Sequence, residues 1–258
     1  SLPLLSEKTQ LKGKKDVKNV KLKDMLTKKK LGEWHAYWLA QQWEWFLSIG
    51  LDAKDLKIRE HMHTELSHYS SATFDTDYAF PFGSKEISGN ANRGTYDLEQ
   101  HMKVSKKKLQ IFDEKTKSSV VPRVIEPSFG MGRLFLAVLY ASYDDDTKRG
   151  NVVLHLPARL APVKVCVFPL VKKVDEKARK VHEDLRKAFV SEYDSAGSVG
   201  RRYARADEIG VPYCVTVDFD SGVTIRDRDS TKQVRVAEDK LVSTLSSLLN
   251  GTVSFSGL

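Results

Sequence analysis

Two cysteines in 258 residues are too few for a disulfide framework. Cys166 and Cys214 each sit inside a strand-like run, VKVCVFPL and VPYCVTVDF, and neither has zinc-ligand spacing. Both read as buried core thiols, which implies a reducing compartment, the cytoplasm. A long hydrophobic run is also missing. The longest, Leu134–Tyr143, is too short to span a membrane. No apolar N-terminal region with a small-residue cleavage site is present, so no secretory signal is expected. Basic excess is lacking beyond the first thirty residues. There, ten lysines against Glu7, Asp16 and Asp24 give +7 of the total +8. The run KGKKDVKNVKLKDMLTKKK reads as a solvated segment, with an arm attracted to RNA phosphate as the alternative.

The remaining composition, 41% apolar and 29% charged, is that of a globular protein long enough for two domains. The stretch Val120–Tyr143, VVPRVIEPSFGMGRLFLAVLYASY, carries the strongest local signal. Val120-Val121 and Val124-Ile125 predict a largely buried strand, and the apolar residues from Arg133 to Tyr143 a helix buried on several sides. Glu126, at the end of that strand, requires a cationic or hydrogen-bonding partner. Arg133, in the first helical turn, has the wrong sign for the macrodipole. Beside the Gly130 and Gly132 amides it reads as a phosphate site. Together these suggest an amino acid lying beside a nucleotide. A satisfied core glutamate and a salt-bridged arginine are the alternative.

Elsewhere, Leu31–Gly50 predicts an amphipathic scaffold helix stopped by glycine, with Trp34, Tyr37, Trp38 and Trp45 mixing its faces. Arg59, His61, His63, Glu65 and His68 match no strong metal signature, and no zinc is expected there. Tyr78–Phe82 and Lys85–Ser88 read as strands around a turn at Gly83, and Asn90–Gly94 as a turn. Lys103–Ser119 reads as a hairpin or loop, and Asp144–Gly150 as a polar loop. From Val163 the pattern alternates. Strands are expected at Val163–Leu170, Pro212–Phe219 and Val223–Arg228. Helices are expected at Val174–Tyr193, from Arg201, and at Ala237–Leu249, giving an α/β domain with a mixed sheet. The GTVSFSGL tail reads as disordered.

Five long words in register resemble the class II aminoacyl-tRNA synthetases, specifically glycyl-tRNA synthetases of the homodimeric type. They are IREHMHTELSHYSSATFD (Ile58–Asp75), FPFGSKEISGNANRGTYDLEQH (Phe80–His101), VIEPSFGMGR (Val124–Arg133), GSVGRRYARADEIGVPYCVTVDFD (Gly197–Asp220) and TIRDRDSTKQVRV (Thr224–Val236). The likeness runs from about Leu31 to about Leu249. It implies an α/β chain with four parts. Residues 1–30 form a lysine-rich segment, and 31–158 the C-terminal, incomplete part of the antiparallel catalytic sheet, with motif 3 at 124–133. Residues 159–250 form a mixed-sheet anticodon-binding domain, and 251–258 a tail.

The resemblance further implies ATP-dependent activation of glycine and its transfer to the 3′ end of tRNA(Gly). Glycine would be held by Glu126, Pro127 and Ser128, and ATP by Glu86, Ile87, Gly130 and Arg133. Glu86 would hold Mg2+ through the nucleotide, and Arg133 is the expected catalytic group. Arg201, Arg202, Arg226 and Arg228 are the expected tRNA contacts, with homodimers in the full-length family and no membrane association. The alternatives are a non-catalytic synthetase-like accessory factor and an RNA-binding module. Motifs 1 and 2 of the family are not found in this sequence. The 258 residues alone are therefore expected to give no glycine-dependent ATP–pyrophosphate exchange, and measurable exchange would contradict that expectation.

Overall fold

The computed structural model describes residues 1–28 and 31–258, so Lys29 and Lys30 of the lysine run lie outside the described residues. Two compact units are present, Ser1–Val138 and Leu139–Leu258. The division between 158 and 159 that the resemblance implies falls inside the second unit.

In the first unit the elements are β1 (Leu2–Leu5), α1 (Glu7–Gln10), β2 (Lys18–Val20), α2 (Leu22–Thr27), α3 (Glu33–Ser48), β3 (Leu56–Glu60), β4 (Ala72–Phe80) and β5 (Gly83–Gly94). α4 (Tyr96–Ser105), the hairpin of β6 (Ile111–Asp113) and β7 (Ser118–Val120), β8 (Val124–Phe129) and α5 (Met131–Ser142), whose last four residues belong to the second unit, follow. Six strands form one sheet in the order β2-β1-β3-β4-β5-β8, antiparallel except for the β1–β3 pair.

Period-two alternation gives this sheet two unlike faces. Phe74 and Tyr78 of β4 and Ile58 of β3 are buried against Leu39, Trp43 and Phe46 of α3. The intervening Arg59, Asp75 and Asp77 carry charge on the opposite face. α3 buries His35, Leu39, Gln42 and Phe46, a stripe at helical spacing, and the chain reverses at Gly50 with φ +93. Trp34, Tyr37, Trp38 and Trp45 fall outside the stripe and are exposed.

Several expectations change. The lysine-rich segment is not simply solvated: Leu2, Leu4 and Met25 enter the core, and β1 bridges β2 and β3. Asn90–Gly94 is strand, because it pairs with both β4 and β8. β8 is a half-buried sheet edge rather than a buried strand, which lets Pro127 sit in it without losing a ladder bond. α5 buries Leu134 and Ala137, but Phe135 is 66% and Tyr140 49% exposed. Its apolar run therefore does not mean burial on several sides.

The second unit opens with the hairpin β9 (Tyr143–Asp146) and β10 (Asn151–Leu154), where a loop was expected from Asp144. β11 (Val165–Pro169), α6 (Asp175–Arg186), β12 (Ser191–Tyr193), α7 (Val199–Glu208), β13 (Tyr213–Val217), β14 (Val223–Asp227), β15 (Gln233–Val236) and α8 (Leu241–Leu249) complete it. The helix expected to reach Tyr193 ends at Arg186, and β12 follows. The sheet order is β12-β11-β13-β14-β15, mixed as expected. Val165, Val167, Val215 and Ile225 pack against α6 and α8. Cys166, Phe168 and Cys214 pack with Ala206 of α7 on the other face. The tail is not free: Phe255 packs on this core and stacks on Tyr213 at 6.3 Å.

All four tryptophans lie in α3, so tryptophan fluorescence reports the first unit. Phe46 is fully buried. Phe46→Ala is expected to remove about 3–5 kcal/mol from the fluorescence-detected urea transition. An unchanged midpoint would contradict this core assignment.

Candidate active site

The ladder registers of β3, β4, β5 and β8 align side chains in rows across the polar face. Arg59 pairs with Asp75, Asp75 with Gly89, and Gly89 with Ser128. Thr73, Ala91 and Glu126 form the adjacent row. Lys57, Asp77 and Glu86 form another, with Lys57 Nζ 3.4 Å from Asp77 Oδ2.

Glu86 reaches this face because β5 is bulged. Ser88 points towards α3, where it accepts from Gln42 Nε2 at 2.6 Å, and alternation alone would send Glu86 the same way. The register instead pairs Thr76 with Ser88 and Asp77 with Glu86, leaving Ile87 as an extra residue. Such a bulge reverses the phase of the strand. Ile87 enters the core, fully buried, and Glu86 Oε1 comes to 3.8 Å from the point a Cβ on Gly89 would occupy. The expectation that Ile87 packs on a nucleotide is thereby corrected: its side chain is spent on the core.

Buried amides fix the backbone behind Gly89. Gln42 Nε2 donates to Gly89 O at 3.2 Å, and Asn90 Nδ2 donates to Gln42 Oε1 at 2.6 Å. His35, whose pKa burial pushes down, bonds Asn90 O through Nε2 at 3.1 Å.

Glu126 and Ser128 stand side by side on β8, facing away from α3, while Phe129 packs on Trp45. Glu126 is not the buried carboxylate expected, since 42% of its side chain is exposed. Its partner is Arg93, whose Nη1 donates to Oε2 at 2.6 Å. Arg93 is itself clamped by Asp97 (2.6 and 2.8 Å) and lies 4.0 Å from the centre of the Tyr69 ring. Asp97 first, then Glu126, raise the pKa of this guanidinium, so it stays charged. Ser128 Oγ donates to Gly89 O at 3.4 Å. At the turn into α5 the Gly130 amide donates to Ile87 O at 2.8 Å and is not open to an anion as expected. Arg133 is exposed in the first turn of α5. Its Nε lies 3.7 Å from the Cβ position of Gly130, so the guanidinium leans over the β8–α5 turn. The face thus offers carboxylate and hydroxyl acceptors for a cation beside one cationic group for an anion.

Asp75 is the member that sequence reasoning missed. Asp75 is 3% exposed, and its Oδ2 accepts from Arg59 Nη2 at 2.5 Å and His61 Nε2 at 2.6 Å. The signal was the Arg59–His61 pair preceding a charged, period-two strand. A separate groove of about 500 Å³, lined by Trp34, His35, Trp38, Val124 and Ile125 among others, includes none of Asp75, Glu86, Glu126, Ser128 and Arg133.

In the second unit, Arg226 makes two hydrogen bonds to Asp207, at 2.8 and 2.9 Å, and lies over Tyr203. Arg228 donates to the carbonyls of Gly210 and Leu156, both at 2.9 Å. Arg202 donates to Pro169 O and to Gly197 O. All three are buried, and their donors serve the scaffold, correcting the expectation that they contact tRNA. Of the four arginines expected to do so, Arg201 alone is exposed. Arg226→Ala would leave Asp207 buried without its main partner and is expected to cost about 3–5 kcal/mol. Arg201→Ala is expected to change stability by less than about 0.5 kcal/mol. Urea titrations followed by circular dichroism check both, and equal effects would contradict the assignment.

Comparison with known proteins adds to this geometry. The family described as "Anticodon binding domain" matches residues 164–248. The chain is 49% identical over 215 residues to the glycine–tRNA ligase of Caldanaerobacter subterraneus subsp. tengcongensis, covering 81% of this chain and 47% of that protein. It is 48% identical over 218 residues to the glycine–tRNA ligase of Ruminiclostridium cellulolyticum, covering 82% and 47%. The chain therefore spans about half the length of the curated relatives it matches.

Proposed function

This chain is a relative of the glycine–tRNA ligases over most of its own length and about half of theirs, and on that premise we propose that it carries the amino-acid side of a glycine-activating site together with an anticodon-recognition domain. The observation that carries the reading is the pairing on β8 of Glu126 and Ser128, with Arg93 holding Glu126 from β5. In the proposed reaction the glycine carboxylate attacks the α-phosphorus of ATP in line. A phosphorus–oxygen bond forms, and pyrophosphate leaves as glycyl-adenylate is made. The terminal ribose hydroxyl of tRNA(Gly) then displaces AMP.

Within that scheme Glu126 and Ser128 receive the glycine ammonium, and Arg93 keeps the Glu126 carboxylate oriented. Arg133 neutralises phosphate charge over the β8–α5 turn. The scheme is chiefly positioning and charge neutralisation. Glu86 is the residue that would hold Mg2+ brought in with the nucleotide, and the ion would supply charge neutralisation of the phosphate oxygens. Magnesium held mostly by phosphate and water needs only one or two carboxylates, which this face supplies. Glycine offers no side chain to grip, so selectivity has to come from a pocket too small to admit a methyl group. Arg201 is the arginine left to meet RNA. Homodimer assembly and a cytoplasmic location belong to the same proposal. Among the described residues no helix is long and apolar enough to cross a membrane. An accessory factor or a bare RNA-binding module has no comparable support, since the polar set Glu86, Glu126, Ser128 and Arg133 is intact.

Titration of the 15N-labelled chain with glycine is expected to shift the amides of Gly89, Glu126 and Ser128. L-Alanine at equal concentration should shift them little. No response to glycine anywhere on β5 or β8 would refute the reading.

A further inference from the structure

Asp75 has a clamped carboxylate that neither the ladder nor the core requires. Oδ2 takes both the Arg59 and the His61 donors, which fixes the carboxylate plane and hence the direction of Oδ1. That oxygen lies towards Gly89, its partner across the β4–β5 ladder. A Cβ built on Gly89 would stand 3.0 Å from Ser128 Oγ, 3.6 Å from Asp75 Oδ1 and 3.8 Å from Glu86 Oε1. Side chains from three strands thus converge over Gly89, where a side chain on residue 89 would stand among them.

We propose that Asp75 is a substrate-binding residue, its Oδ1 receiving the ammonium of glycine in the gap over Gly89 opposite Ser128. The inference rests on the glycine-site reading above. An ammonium fits beside Asp75 because it brings three N–H donors, and the Asp75 Oδ1 carboxylate oxygen and the Ser128 hydroxyl can accept them, with Glu86 left to the metal. A bare metal ion fits less well. Among the described residues no group of three or more His, Cys, Asp or Glu side chains is arranged to hold one. Burial strengthens the contact, since Asp75 is almost wholly removed from water and its charge is weakly screened. Arg59 and His61 offset the burial of that charge in the absence of substrate, and they also hold Oδ1 in place. Gly89 keeps the approach to Asp75 clear, since a Cβ there would stand 3.0 Å from Ser128 Oγ, at the closest tolerable contact.

The test is calorimetry of the full 258-residue chain with glycine and with glycolate, which replaces the ammonium by a hydroxyl. Asp75→Asn preserves the shape and one acceptor oxygen for Arg59. It is expected to weaken glycine at least about tenfold, from loss of a charge-assisted hydrogen bond, while glycolate changes less than about twofold. A purely structural role would move both ligands together, and that result would overturn the proposal. Unchanged glycine affinity in Asp75→Asn, with Glu126→Gln abolishing it, would also overturn the proposal and leave the glycine-site reading standing. No glycine binding to the wild-type chain would refute both. Should Asp75→Asn melt early, Gly89→Ala supplies the second arm. It fills the gap without touching the clamp, and the exposed Ser128 hydroxyl can turn aside. Loss of glycine binding in Gly89→Ala is expected, and undiminished binding would overturn the proposal.

Discussion

Strand β5 has to satisfy two demands with one backbone, and the first unit is arranged around how it does so. Towards α3 it presents Ser88 and Asn90 to Gln42, and Ile87 to the apolar core. Towards the opposite face it presents Glu86, Gly89, Ala91 and Arg93. A regular strand cannot place both Ile87 and Ser88 on the helix side, because neighbouring side chains alternate. The extra residue at Ile87 resolves the conflict and delivers Glu86 to the polar face. Bulges beside functional sites commonly re-aim a side chain in this way.

Around that strand the charges are paired before any ligand arrives. Asp97 and Glu126 hold Arg93, and Arg59 and His61 hold Asp75. Each ion pair fixes an oxygen or a guanidinium plane on rigid strand backbone. Preorganisation of this kind matters more for positioning a small substrate than any single contact. The second unit uses the same chemistry differently. Arg226 with Asp207, and Arg228 with the Gly210 and Leu156 carbonyls, tie β14 and the residue that follows it to α7 and to the segment after β10. These guanidiniums join elements instead of facing solvent, and outward positive charge there falls to residues such as Arg201.

Much of this was legible in the sequence. The β4–β5 hairpin, the α3 scaffold and the mixed sheet of the second unit follow from alternation, turn residues and family motifs. What escaped depends on information that alternation does not carry. A bulge is a choice of register between strands, so the bulged position of Ile87, and with it the face of Glu86, is invisible in one strand read alone. Burial of Arg202, Arg226 and Arg228 is likewise non-local: Arg202 reaches Pro169 O, Arg226 reaches Asp207, and Arg228, besides its neighbour Asp229, reaches Gly210 O and Leu156 O. Apolarity of α5 was read as burial, yet Phe135 and Tyr140 are exposed, because hydrophobic residues also populate surfaces. The lysine run concealed Leu2, Leu4 and Met25, whose spacing suffices to pin it to the sheet.

The account stands on the polar face of the first sheet being the ligand face. A crystal structure of the chain grown with saturating glycine tests that most directly. The predicted result is glycine density over Gly89, with its nitrogen between Asp75 and Ser128 and Glu86 turned to the same side. Glycine in the groove between α3 and β8, or Glu86 directed towards α3, would contradict the account.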